Sequence, residues 1–155
     1  MADIDTAAQH HDPRIPPRER CVLRYVMDHW AQARGDQTYA IFADGSRWSY
    51  AELRQRTIAM AVGLQKLGVG QGDHVAVWLP NGPEHLLAFY AINYLGAVFV
   101  PFNTAYKGRL LAHVLDNADA KVLICHGQLA ERLAEVETGP VETVVLLGDE
   151  AMAER

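Results

Sequence analysis

Cys125-His126 places a thiol beside an imidazole, the pair with the most reactive potential in these 155 residues. A cysteine nucleophile needs a base within reach and a third group to orient that base. Neighbours at a strand end project to opposite sides, so the pair reads as structural. His113 and Asp116 stand three apart on one predicted helix face, which suits a surface pair. His85 falls at the start of a predicted helix and reads as a histidine satisfied near the helix cap. His10-His11-Asp12 lies in a proline-bearing leader, and adjacent histidines alone do not make a metal site. Gly68-Val69-Gly70-Gln71-Gly72 looks like a phosphate loop. Such a loop must leave a strand and open a helix, so that N–H groups and the helix dipole face the anion. Here a helix precedes and a strand follows, which predicts a turn. Paired carboxylates, zinc spacing, a Walker loop and a nucleophile elbow do not stand out. On side-chain chemistry alone, the sequence describes an α/β domain and names no reaction.

Composition narrows the classes further. Half of the residues are hydrophobic and the charge is moderate, which is a globular balance. The formal net charge of -5 argues against a nucleic-acid or anionic-membrane binder, since both favour a basic surface. The two cysteines, Cys21 and Cys125, are far apart without metal spacing and read as reduced thiols of a cytoplasmic protein. Residues 1–19 carry no apolar signal-peptide core and are expected to form a flexible tail. Leu86 to Phe102 is shorter than the roughly 20 residues of a membrane span and contains Asn93, Gly96 and Pro101. No membrane span is therefore expected.

The elements that would position any site are organised around residues 74–104. Val75 to Leu79 is an apolar run of the length a buried strand needs. Asn81-Gly82 breaks it, Pro83 suits the first helical position, and Glu84 sits near the positive helix end. Leu86 to Ile92 leaves almost no polar face, so this helix should be buried on most sides. Gly96 is placed to end it, and Ala97 to Val100 returns as a strand. Upstream, Cys21 to Ala33 has helical spacing. Thr38 to Phe42 and Arg47 to Trp48 flank Asp44-Gly45, which predicts a hairpin. Ser49 with Glu52 forms a capping box for a helix carrying Leu53, Thr57, Met60, Ala61, Leu64 and Leu67 inward. Downstream, helices are expected over 107–117 and 128–137, the second with Leu129, Leu133 and Val136 inward. Strands are expected over 121–125 and 143–147. The expected fold is α/β: a mostly parallel sheet flanked by helices on both faces, with an N-terminal β-hairpin.

Several blocks of sequence, in order, resemble the opening of the adenylate-forming, or AMP-binding, superfamily. They are Trp48-Ser49-Tyr50-Ala51-Glu52-Leu53, Gly68 through Ala76, Pro80-Asn81 with Glu84, and Tyr94-Leu95-Gly96-Ala97-Val98-Phe99-Val100-Pro101-Phe102-Asn103. Leu110 to Leu115 and Ala120 to Ile124 follow in family order. The first and fourth blocks match the family's two earliest motifs, of the forms L-T-Y-x-E-L and G-A-x-x-V-P-x-N. The resemblance covers about residues 20–150 and implies the N-terminal part of an acyl-CoA synthetase or related carboxylate–CoA ligase.

Enzymes of that family activate a carboxylate with ATP and Mg²⁺ to an acyl-adenylate, then transfer the acyl group to the CoA thiol. The resemblance implies that residues 20–150 are an incomplete N-terminal subdomain, expected to be inactive alone. The Ser/Thr/Gly-rich phosphate loop, roughly T-S-G-T-T-G-x-P-K-G, and the C-terminal domain's lysine are not among these 155 residues. It also implies a small carboxylic acid as substrate. In acetyl-CoA synthetase-like relatives, the strand end matching Phe102, Asn103 and Thr104 approaches the pantetheine arm through small glycines. Asn103 and Thr104 depart from those glycines, and the other reading is that Pro101 and Asn103 only shape the strand exit. No residue here is expected to be catalytic or to bind metal. An alternative to the ligase reading is a free-standing relic α/β domain that serves as an interaction or assembly module. Either way, faces left uncovered would favour self-association.

Overall fold

The computed structural model describes residues 21–148. The expected tail over 1–19, with its paired histidines, lies outside the described residues, as do Arg20 and 149–155. Helix α1 spans Leu23–Ala33 and is followed by the antiparallel hairpin of β1, Thr38–Ile41, and β2, Arg47–Ser49. The hairpin closes as the Asp44-Gly45 pair predicts. The Gly45 N–H donates to the Phe42 carbonyl, and the Ser46 N–H donates to the Asp44 carboxylate at 2.8 Å.

Helix α2, Tyr50–Lys66, begins on the expected capping box. The Glu52 N–H donates to Ser49 Oγ at 3.2 Å, and the Ser49 N–H donates to Glu52 Oε2 at 2.8 Å. Its buried residues are Leu53, Thr57, Ala61 and Leu64, a stripe at helical spacing. Leu67 departs from the expected stripe. It caps the helix as the backbone turns, and stays 46% exposed.

Four parallel strands make the main sheet: β3, His74–Trp78; β4, Val98–Pro101; β5, Val122–His126; and β6, Thr143–Leu147. Their spatial order is β4-β3-β5-β6. The first strand thus has the second on one side and the third on the other, as in a doubly wound sheet. Helix α3, Pro83–Tyr94, links β3 to β4, and helix α4, Gly108–Ala118, links β4 to β5. No residue of α3 is exposed, as its nearly continuous apolar run requires. Gly96 follows with φ +74, and a Cβ there would come within 3.3 Å of the Gln71 side chain.

The two sheet faces hold separate cores, because successive strand residues point to opposite sides. Val75, Val77 and Ile124 pack with Leu64 of α2 and Ala88, Ala91 and Ile92 of α3. Ala76, Trp78, Leu123 and Cys125 pack on the other side with Leu111, Leu115 and Ala118 of α4. The segment expected to be an α-helix over 128–137 is instead a 3₁₀ helix, Gly127–Glu135. Leu129, Leu133 and Val136 do turn inward, joined by Ala130. Ala130 and Leu133 are three apart, the repeat of a 3₁₀ turn, while Leu129 and Leu133 are four apart, so both rows still reach the core. Among the described residues, no helix is long and apolar enough to cross a membrane.

Candidate functional site

Open parallel sheets bind ligands outside the carboxyl ends of their strands, where neighbouring connections leave toward opposite faces. Here that point lies between β3 and β5. The chain leaves β3 for α3 on one face and leaves β5 for the 3₁₀ helix on the other. The exit of β4, Phe102–Thr104, runs beside β3 at the same edge.

This exit loop is held by one side chain from β3 and one from the 3₁₀ helix that follows β5. Trp78, the last residue of β3, is wholly buried. Its indole N–H donates to the Asn103 carbonyl at 3.1 Å, and its ring stacks on Phe102 with centroids 5.7 Å apart. Arg132, from the 3₁₀ helix, donates through Nη1 to the Thr104 carbonyl at 2.7 Å, with its guanidinium 5.9 Å from the Trp78 ring centre. The loop also closes on itself. Asn103 Oδ1 accepts the Ala105 N–H at 2.8 Å, and the Asn103 carbonyl accepts the Tyr106 N–H at 3.1 Å. Asn103 therefore does shape the strand exit. Its Nδ2 and the Thr104 hydroxyl meet no partner among the described residues.

Cys125, His126, His85 and His113 are each engaged in structural contacts. Cys125 is buried, its Sγ–H donates to the His126 carbonyl at 3.3 Å, and burial pushes the thiol up to about 11. It is poorly suited to act as a nucleophile near neutrality. His126 Nδ1 accepts the Gln128 N–H at 3.3 Å and so caps the 3₁₀ helix. On its other side the ring lies against Gly148 (φ +75), where a Cβ would come within 2.6 Å of Nε2. His85 Nδ1 lies 3.2 Å from the Leu79 carbonyl, the expected cap-region contact. His113 does not pair with Asp116; it sits 2.9 Å from the Asn117 amide, one turn along α4.

The glycine run at 68–72 is a turn between α2 and β3. The Gly70 N–H donates to Asp73 Oδ2 at 2.7 Å, and the Gly72 N–H donates to the Gly96 carbonyl at 2.9 Å. A groove of about 580 Å³ lies beside it, lined by residues such as His74, Lys121 and Thr143. His74 and Thr143 open their strands and Lys121 directly precedes β5, so the groove is at the amino edge, across the sheet from the exit loop. Lys121 there is paired with Glu142 at 3.1 Å. Among the described residues, no cluster of His, Cys, Asp or Glu could hold a metal ion.

Sequence reasoning put forward Phe102, Asn103 and Thr104 as candidates and gave no sign of the contacts that Trp78 and Arg132 make with them. A tryptophan ending a buried strand does carry a signal, since its buried N–H must find an acceptor. Arg132 carries none at short range.

A family model described as AMP-binding enzyme matches residues 27–155. Crotonobetaine/carnitine–CoA ligase of Salmonella paratyphi A is 30% identical over 139 residues, covering 85% of this chain and 27% of that enzyme. 2-Succinylbenzoate–CoA ligase of Oceanobacillus iheyensis is 43% identical over 100 residues, covering 62% of this chain and 21% of the enzyme. Among solved structures, a long-chain-fatty-acid–CoA ligase from Archaeoglobus fulgidus superposes with a TM-score of 0.78 at 30% identity. That match covers 84% of this chain and 28% of the other. The chain thus spans about a quarter of the length of these relatives.

Proposed function

The chain belongs to the AMP-binding enzyme family, and from that premise we propose that it is the N-terminal part of an ATP-dependent, AMP-forming acid–thiol ligase. The intact enzyme would join a small carboxylic acid to ATP with Mg²⁺, release pyrophosphate, and pass the acyl group from AMP to CoA. The work would take place in the cytoplasm.

The observation that carries the reading is the extended match of residues 27–155 to enzymes of this kind. The geometry supports a division of labour within it. Phosphate-gripping loops need several N–H groups converging at a helix N-terminus. The connections after β3, β4 and β5 each hold one glycine, Gly82 just before α3, Gly108 opening α4 and Gly127 opening the 3₁₀ helix, and the β2-to-α2 junction holds none. These residues therefore act as scaffold, and adenylation needs residues outside them. Their own contribution to ligand binding is the exit loop of Phe102, Asn103 and Thr104, placed on the CoA side. Its uncommitted amide and hydroxyl suit the amide-bearing pantetheine arm.

ATP–pyrophosphate exchange over a panel of carboxylates tests this reading. The 155 residues alone should support no exchange. Robust exchange would mean that the adenylating machinery is already here.

A further inference from the structure

The clamp of Trp78 and Arg132 has a consequence for which ligand atoms the exit loop can recognise. The Asn103 carbonyl is taken by the Trp78 indole N–H at 3.1 Å and the Tyr106 N–H at 3.1 Å. The Thr104 carbonyl is taken by Arg132 at 2.7 Å, and Asn103 Oδ1 by the Ala105 N–H at 2.8 Å. Every carbonyl oxygen of the Asn103-Thr104 pair, backbone and side chain, is thereby drawn into the protein. What remains among the described residues is Asn103 Nδ2 and the N–H groups of residues 103 and 104, together with the Thr104 hydroxyl. Apart from the hydroxyl, which can act either way, these are donors only.

We infer that Arg132 is the positioning residue of this loop, acting with Trp78 to turn both carbonyls inward so that the loop offers donors to an acceptor-bearing ligand. This rests on the proposed CoA-side role of the loop, and it names the ligand atoms: the amide carbonyl oxygens of the pantetheine arm. Arg132 suits the task because its planar guanidinium can donate to Thr104 while lying over the Trp78 ring. Trp78 suits it because a wholly buried indole has one polar atom, and that atom faces Asn103. Without Arg132, the Thr104 carbonyl is free to rotate outward and oppose an incoming carbonyl.

Amide hydrogen exchange and two-dimensional amide NMR on the 155-residue chain test this, with Arg132→Met, Arg132→Lys and Trp78→Phe, each with and without CoA. In Arg132→Met, the Ala105 and Tyr106 amides should exchange about 10-fold faster, while Val75 to Val77 keep their protection. Arg132→Lys keeps one donor and should recover part of the difference, which a general loss of packing would not. CoA should shift the Asn103 and Thr104 amide signals in the unsubstituted chain and in Arg132→Lys, and shift them less in Arg132→Met. Unchanged exchange at Ala105 and Tyr106 in Arg132→Met would overturn the positioning role. Faster exchange with no CoA-induced shift in any form would overturn the ligand assignment, and with it the CoA-side reading. Should Trp78→Phe fail to fold, the half-buried Arg132 series decides alone.

Discussion

Thr57→Val should make this protein more stable, against the usual direction of core substitutions. Thr57 is wholly buried in the middle of α2, between Leu53 and Ala61 on the stripe that faces the core. Its Oγ1 has no hydrogen-bond partner among the described residues. An unsatisfied buried hydroxyl costs about 1–3 kcal/mol. Valine has nearly the same shape, the same branching at Cβ and a similar helix propensity, so little opposes removing that cost. The expected gain is about 1–2 kcal/mol. For a chain of this size each kcal/mol moves Tm by roughly 2–4 °C, giving a rise of about 2–8 °C. Thr57→Ser provides the contrast. It keeps the hydroxyl and deletes a buried methyl, and should cost about 1 kcal/mol. Urea denaturation followed by circular dichroism, with calorimetric Tm, measures both. If Thr57→Val were neutral or destabilising at unchanged m-value, the hydroxyl must be bonded, to a helix carbonyl or a buried water, and the reasoning fails.

Three further outcomes follow from the same structure. Ser49→Ala removes the capping-box acceptor of α2 and should cost about 1 kcal/mol, read as a fall in urea midpoint; no change would mean the cap is idle. Burial raises the Cys125 thiol from 9.0 to about 11, so the folded state keeps a proton that the unfolded chain releases. The stability this confers is present below pH 9 and lost as pH rises toward 11, and it should disappear from the difference between the unsubstituted chain and Cys125→Ala. An identical pH slope in both would refute it. Among the described residues, β6 pairs only with β5, and it exposes Val144 at 42% and Leu146 at 38%. Concentration-dependent association is expected in sedimentation, weakened by Leu146→Lys, whereas a monomer at all concentrations would contradict it.

The fold was legible where local rules and tertiary packing agree. The Ser49–Glu52 box started α2, the Asp44-Gly45 pair closed the hairpin, and the apolar runs at 75–79 and 121–125 became paired central strands. The 3₁₀ helix was not legible. Its inward residues fit either helix type, since Leu129 and Leu133 are four apart while Ala130, Leu133 and Val136 are three apart. At the candidate site, Phe102, Asn103 and Thr104 could be put forward from a family resemblance, but the clamp could not. Trp78 reaches Asn103 across 25 residues of sequence and Arg132 reaches Thr104 across 28. Neither contact leaves a local pattern, since the first depends on β3 and β4 becoming neighbours and the second also on β5 lying beside β3.

Calorimetric titration of Mg²⁺–ATP into the 155-residue chain probes most directly whether these residues are scaffold for a ligase whose nucleotide grip is supplied from outside them. The expected trace shows dilution heat alone. Tight, saturable binding with a defined stoichiometry would contradict it and place the nucleotide site within this sheet.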